Sequence, residues 1–125
     1  MLRELEKIVE KARKDEDVLA VILFGSCARK ERYSDVDVCV VLDSKEFSPL
    51  FLSKKRLEYL KDFPNMDVRV FQQLPSYVKV RVFKDGELVL CKDEDRLYDL
   101  NFFTIREFEY FKPIYLGYLE GVLNA

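Results

Sequence analysis

The chain is 125 residues long, carries 21 lysines and arginines against 23 aspartates and glutamates for a net charge of −2, and contains neither histidine nor tryptophan. That length is one ordinary domain with room for a buried core. The missing histidine excludes Ser-His-Asp and Cys-His nucleophile systems, His-ligated zinc and an imidazole base, so any chemistry has to run on carboxylates, Lys, Tyr, Cys or a carboxylate-held metal.

Leu2, Leu5, Ile8, Val9 and Ala12 recur at helical spacing among charged residues, which predicts an amphipathic helix from residue 2 to about 15. Val18 to Phe24 is apolar at every position and stops at Gly25, the pattern of a strand buried on both faces. Gly25-Ser26 then makes a turn that opens a short helix, with Ser26 in an N-cap-like position. A second buried strand is expected over Asp35 to Leu42. Ser48 and Pro49 cap and start a helix through Leu50, Leu57 and Leu60, which Pro64-Asn65 ends. Lys54-Lys55-Arg56 on that helix reads as a solvated face.

Met66 to Phe71 predicts a third strand, with Val68 and Val70 on one face and Asp67, Arg69 and Phe71 on the other. Pro75 to Phe83 alternates like a strand, yet Val78 and Val82 lie one helical turn apart, and helix is the preferred assignment. Asp85-Gly86 marks a turn and Leu88 to Cys91 a short strand. From Asp93 onward the pattern is helical, with a kink or split expected at Pro113.

The 49% hydrophobic fraction is that of a globular chain, and no apolar run reaches the roughly 18 residues of a membrane span. The near-even charge offers no broad basic surface, so no nucleic-acid partner is expected. Residues 1–14 lack a leader pattern, and Cys27, Cys39 and Cys91 form no CxxC pair; reduced thiols in a cytoplasmic protein are the expectation.

Three features carry chemistry. Asp35 and Asp37 sit two apart on a strand, so both carboxylates point to one face, and in an apolar strand that repulsion calls for a divalent cation between them. Asp67, at the start of another strand, supplies a third oxygen donor if the two strands are neighbours. Gly25 permits close backbone approach, while the Ser26 hydroxyl and adjacent N–H groups suit phosphate oxygens. Each also has an ordinary structural reading: a solvated strand start for Asp35 and Asp37, turn chemistry for Asp67 and a helix cap for Ser26.

Together, Leu23-Phe24-Gly25-Ser26-Cys27-Ala28-Arg29, Ser34-Asp35-Val36-Asp37 and Met66-Asp67-Val68 resemble the minimal nucleotidyltransferase (MNT) branch of the DNA polymerase-β superfamily. The likeness covers about residues 1–92 in element order. Family members commonly carry Gly where this chain has Lys30, and the stretch from Ser26 to Asp35 is shorter than usual. The resemblance implies an α/β fold, a small mixed sheet flanked by helices, as a single domain over residues 1–125, with the core over about 1–92 and a helical tail over about 93–125.

It also implies Mg²⁺-dependent attack of an acceptor hydroxyl on the α-phosphate of ATP. Asp35 and Asp37 would hold both metal ions, Asp67 one of them while serving as base, and Gly25, Ser26 and Arg29 the nucleotide. Small members of the family act as antitoxins toward HEPN-type toxins, some by adenylylating a Tyr of that partner. The alternative is a non-catalytic protein that keeps the fold and neutralises its partner by binding.

The tail favours an interface in either case. Phe102, Phe103, Phe108, Tyr110, Phe111, Tyr115 and Tyr118, with Ile105, Ile114, Leu116 and Leu119, surround most of a helix, whereas a small sheet covers a single stripe. The expected partner is a HEPN-type protein or a second copy. The competing arrangement has Pro113 split the segment into two helices that bury both faces internally.

Overall fold

A computed structural model describes residues 2–25, 37–43 and 48–124. The expected cap and helix opening at Ser26, together with Arg29, Lys30 and Asp35, lie outside the described residues. In chain order the elements are α1 (Leu2–Lys14), β1 (Val18–Phe24), β2 (Asp37–Leu42), α2 (Pro49–Asp62), β3 (Asp67–Val70), a 3₁₀ turn (Phe71–Gln73), α3 (Ser76–Asp85), β4 (Glu87–Cys91) and α4 (Glu94–Asn124). The four strands form one mixed sheet in the order β3-β2-β1-β4, with β2 and β3 parallel and β1 antiparallel to both of its neighbours.

The unbroken apolar runs of β1 and β2 follow from their central position, because each has a packed layer on either side. Val18, Val21 and Leu23 with Val38, Val40 and Leu42 face Ile8 and Ala12 of α1 and Leu52 and Tyr59 of α2. Leu19, Ala20 and Ile22 with Cys39 and Val41 face Phe71, Val82 of α3 and Leu100 of α4. Edge strand β4 is exposed at Glu87 and Leu88 and buries Leu90. Cys39 and Cys91 are free thiols, and burial pushes the Cys39 thiol far above its ordinary value.

Ser48 caps α2 as expected, its hydroxyl accepting from the Phe51 N–H at 3.2 Å. Lys55 departs from the solvated face read for residues 54–56. Its side chain is 11% exposed, and its ammonium sits 3.1 Å from Asp15, 3.1 Å from Asp17 and 3.4 Å from Glu58. Tyr59 donates to the same Asp15 carboxylate at 2.9 Å, so the residue after α1 is tied to the middle of α2 through groups 40 and 44 residues apart. Tyr59 itself is fully buried.

Two expectations are corrected. The third strand ends at Val70, and Phe71 opens the 3₁₀ turn, sending its ring into the second layer against Phe83. The Gln72 side chain stands in for the missing strand residue, accepting from the Leu42 N–H at 3.1 Å and donating to the Leu42 carbonyl at 2.8 Å. Pro113 does not split the tail, because α4 is one helix of 31 residues that runs through it. Pro113 removes one N–H opposite Glu109, and both residues lie on an exposed stretch where water can satisfy the freed carbonyl. No helix of the described residues is long and apolar enough to cross a membrane.

Candidate active site

The carboxylate end of the sheet is built by three strand ends meeting. β1 finishes at Phe24, opposite Asp37 in the β1–β2 ladder, and Asp37 in turn lies opposite Asp67 in the parallel β2–β3 ladder. Asp37 and Asp67 are therefore cross-strand neighbours on the same face, and the neighbouring strands that a third oxygen donor requires are present. The two side chains meet across the ladder.

Gly25 follows directly with φ +82°, in the left-handed region where a side chain is strained. A Cβ there would collide with the Asp37 carboxylate oxygen and stand 3.2 Å from its Cγ. The glycine thus closes the turn and leaves space that the Asp37 carboxylate occupies. Three of the six residues singled out in the sequence, Gly25, Asp37 and Asp67, are brought together here. The other three, Ser26, Arg29 and Asp35, lie outside the described residues.

Asp67 is positioned by a residue the sequence motif did not include. Arg69, two positions on and on the same strand face, forks onto its carboxylate, with Nε 3.0 Å from one oxygen and Nη2 3.4 Å from the other. Burial alone would raise the Asp67 carboxyl. The Arg69 fork and the Arg56 charge oppose burial, and the carboxyl is held below the ordinary carboxylate value. Arg56 is fixed on α2 by donating from Nε to the Val68 carbonyl at 2.9 Å. The signal for Arg69 in the sequence is its i, i+2 spacing from Asp67.

The donor set suits a hard divalent cation, since Mg²⁺ takes one or two carboxylates and fills its remaining positions with water and substrate oxygens. Among the described residues no group of three acidic or thiol side chains gathers, and Asp37 and Asp67 are the two that converge. Beside them, between the end of β1 and α3, lies a cavity of about 190 Å³ lined by Phe24, Gly25, Val78, Arg81, Val82 and Asp85.

The family described as polymerase beta, nucleotidyltransferase matches residues 6–95, which hold the whole sheet and all three converging residues. The chain belongs to this nucleotidyltransferase family. A Methanocaldococcus jannaschii protein, MJ1547, named as a candidate protein adenylyltransferase, is 28% identical to this nucleotidyltransferase over 74 residues, or 58% of the chain. The match takes in 55% of that relative, so the chain spans about half the length of the curated relative it matches.

Among solved structures, a candidate nucleotidyltransferase from Sulfolobus solfataricus is 29% identical with a TM-score of 0.53, covering 74% of this chain and 81% of its own. A chain from the Shewanella oneidensis complex of a tri-AMPylated HEPN toxin with an MNT antitoxin superposes with a TM-score of 0.67 at 14% identity, over 97% of this nucleotidyltransferase and 94% of that chain. A toxin–antitoxin structure holding AMP-PNP gives 0.71 at 13% identity, over 97% of each. At that identity these last two show a shared fold.

Proposed function

We propose that this nucleotidyltransferase moves AMP from ATP to a hydroxyl of a protein partner, in the manner of an MNT antitoxin acting on a HEPN-type toxin. The observation that carries the reading is the Asp37–Asp67 register across the parallel strand pair, with Gly25 leaving room for the Asp37 carboxylate. The fold likeness to MNT antitoxin complexes supports the choice of partner, and the tri-AMPylated state of one such toxin supports a protein acceptor.

In this reading Asp35, Asp37 and Asp67 hold two Mg²⁺ ions. When bound, the metal neutralises phosphate charge and lowers the pKa of an oxygen next to it. The chain's own groups do the rest. Gly25 admits the phosphates, Ser26 and Arg29 bind them, and Arg69 keeps Asp67 aimed at the site. The acceptor oxygen bonds to the α-phosphorus as the bond to pyrophosphate breaks, and the hydroxyl proton passes to Asp67.

A second reading, binding without catalysis, draws on α4. Tyr98, Phe102, Tyr110 and Ile114 are each more than half exposed on it, while Leu100 and Thr104 are its buried residues. An exposed aromatic face of that extent suits a partner chain, a HEPN-type protein or a second copy.

Incubation with Mg²⁺, partner and ATP labelled at the α or the γ phosphate separates the readings. Nucleotidyl transfer puts α label on the partner and loses it in Asp35→Ala/Asp37→Ala. Transfer of γ label refutes it. If no label moves and the double variant still neutralises the partner, binding alone is the function.

A further inference from the structure

The cavity between β1 and α3 lies beside the candidate site. Its inner wall is apolar, from Phe24, Val78 and Val82, and its rim carries one cation and one anion, Arg81 and Asp85, one helical turn apart on α3. It reaches Gly25, the residue whose missing Cβ makes room for Asp37, so it opens onto the carboxylate end of the sheet. Gly86 locks the wall in place: a Cβ there would meet Ile22 Cγ2 at 2.5 Å and the Leu23 carbonyl at 3.0 Å, so α3 ends pressed against β1.

Size and charge narrow what fits. About 190 Å³ is below the roughly 300–1,000 Å³ of a pocket that takes a whole drug-sized ligand, so it suits one ring system of a longer molecule that continues past Gly25. Asp85 is the last residue of α3, where the negative end of the helix dipole disfavours a carboxylate. Among the described residues neither Arg81 nor Asp85 has an ion-pair partner. Both are exposed.

We infer that this cavity seats the nucleobase of the nucleoside triphosphate, with Asp85 and Arg81 reading its edge. Asp85 accepts from an exocyclic amine and Arg81 donates to the neighbouring ring nitrogen. That donor–acceptor edge is adenine's, and cytosine shares the pattern on a smaller ring. Phe24, Val78 and Val82 cover the ring. The inference rests on the nucleotidyl-transfer reading and adds to it the residues that choose the nucleotide.

The test is equilibrium binding of AMP-PNP, GTP, UTP and ITP in Mg²⁺ by the full chain, with no acceptor present. The unmodified protein is expected to bind AMP-PNP at least tenfold tighter than ITP, which lacks the amine. Asp85→Ala is expected to weaken AMP-PNP by about ten- to a hundredfold while leaving ITP within a few-fold, and Arg81→Ala to weaken AMP-PNP likewise, because the corresponding ring nitrogen of ITP carries a hydrogen and cannot accept from Arg81. Because both positions are exposed, thermal unfolding should stay unchanged, and a matching melting temperature validates each variant. If the unmodified protein prefers AMP-PNP but neither substitution alters affinity or the ratio to ITP, the base-reading assignment is overturned and the transfer reading stands. If no triphosphate binds at all, the transfer reading itself falls.

Discussion

Gly25 offers the sharpest test of how the site is assembled, because two separable effects meet at one atom. In Gly25→Ala the left-handed backbone, φ +82°, costs about 1–2 kcal/mol for a residue with a Cβ. The new methyl also collides with the Asp37 carboxylate. Removing that carboxylate relieves the second effect and leaves the first untouched. In a urea-denaturation cycle of Gly25→Ala, Asp37→Ala and the double variant, the double should therefore be less destabilised than the sum of the singles, by about 1 kcal/mol. For a chain of this size the backbone effect alone corresponds to a fall of about 3–10 °C in Tm. Additivity within about 0.5 kcal/mol would refute the packing of Gly25 on Asp37, and an unchanged Tm for Gly25→Ala would refute the turn conformation.

Four further expectations follow from the fold and the site. Burial pushes the Asp15 carboxyl upward, but the Asp17 N–H, Lys55 and Tyr59 outweigh it and hold it below 3.8. Its contribution to stability is therefore complete above about pH 4 and drains away as pH falls through the lower folded value. Urea midpoints between pH 2 and 6 should show a step on the acid side that Asp15→Asn removes. Tyr59→Phe keeps the buried ring and deletes one hydrogen bond to a charged acceptor, so a loss of about 1.5–3 kcal/mol in chemical denaturation is expected. Arg69→Ala should leave the Tm nearly unchanged and lower Mg²⁺-dependent label transfer about 10–100-fold, with part of the loss regained at high Mg²⁺. Tyr110→Glu/Ile114→Glu should change stability by no more than about 0.5 kcal/mol while abolishing partner capture or self-association measured by light scattering; a drop in Tm on the scale of a core substitution would place that face inside the fold.

The residues that make this fold advertise themselves where their environment is local or uniform. β1 and β2 are legible because a strand covered on both faces leaves no polar position, and α2 because Ser48 and Pro49 mark its start within three residues. The choice of helix over strand for α3 is borne out by Val78 and Val82, one turn apart on the face that meets β1, with Val82 fully buried. Alternation alone assigns Phe71 to β3, whereas its ring packs in the second layer from a 3₁₀ turn. Lys55 looked like surface because its three carboxylate partners include two that lie about 40 residues away.

The site divides the same way. Gly25, Asp37 and Asp67 are visible as residue types at strand ends, whereas their register, the Arg69 fork and the Arg81–Asp85 rim depend on pairing and packing that spacing does not encode. In sequence Asp85-Gly86 marks only a turn, and the pressing of Gly86 against β1 is set by the packing of α3.

The one parallel pair in the sheet has a consequence for how such a site can be made at all. Asp37 and Asp67 are both the first residue of their strands. If β3 ran the other way over the same positions, its first residue would face Val40, three steps or about 10 Å along β2, and the two carboxylates would not meet. Equal direction is thus what lets two strand beginnings lie side by side, and a chain achieves that only by travelling back the full length of the sheet between them. α2 is that return journey. Its fourteen residues contribute none of the converging carboxylates, yet without them the chain would carry the same acids in the same order and have no place where they come together.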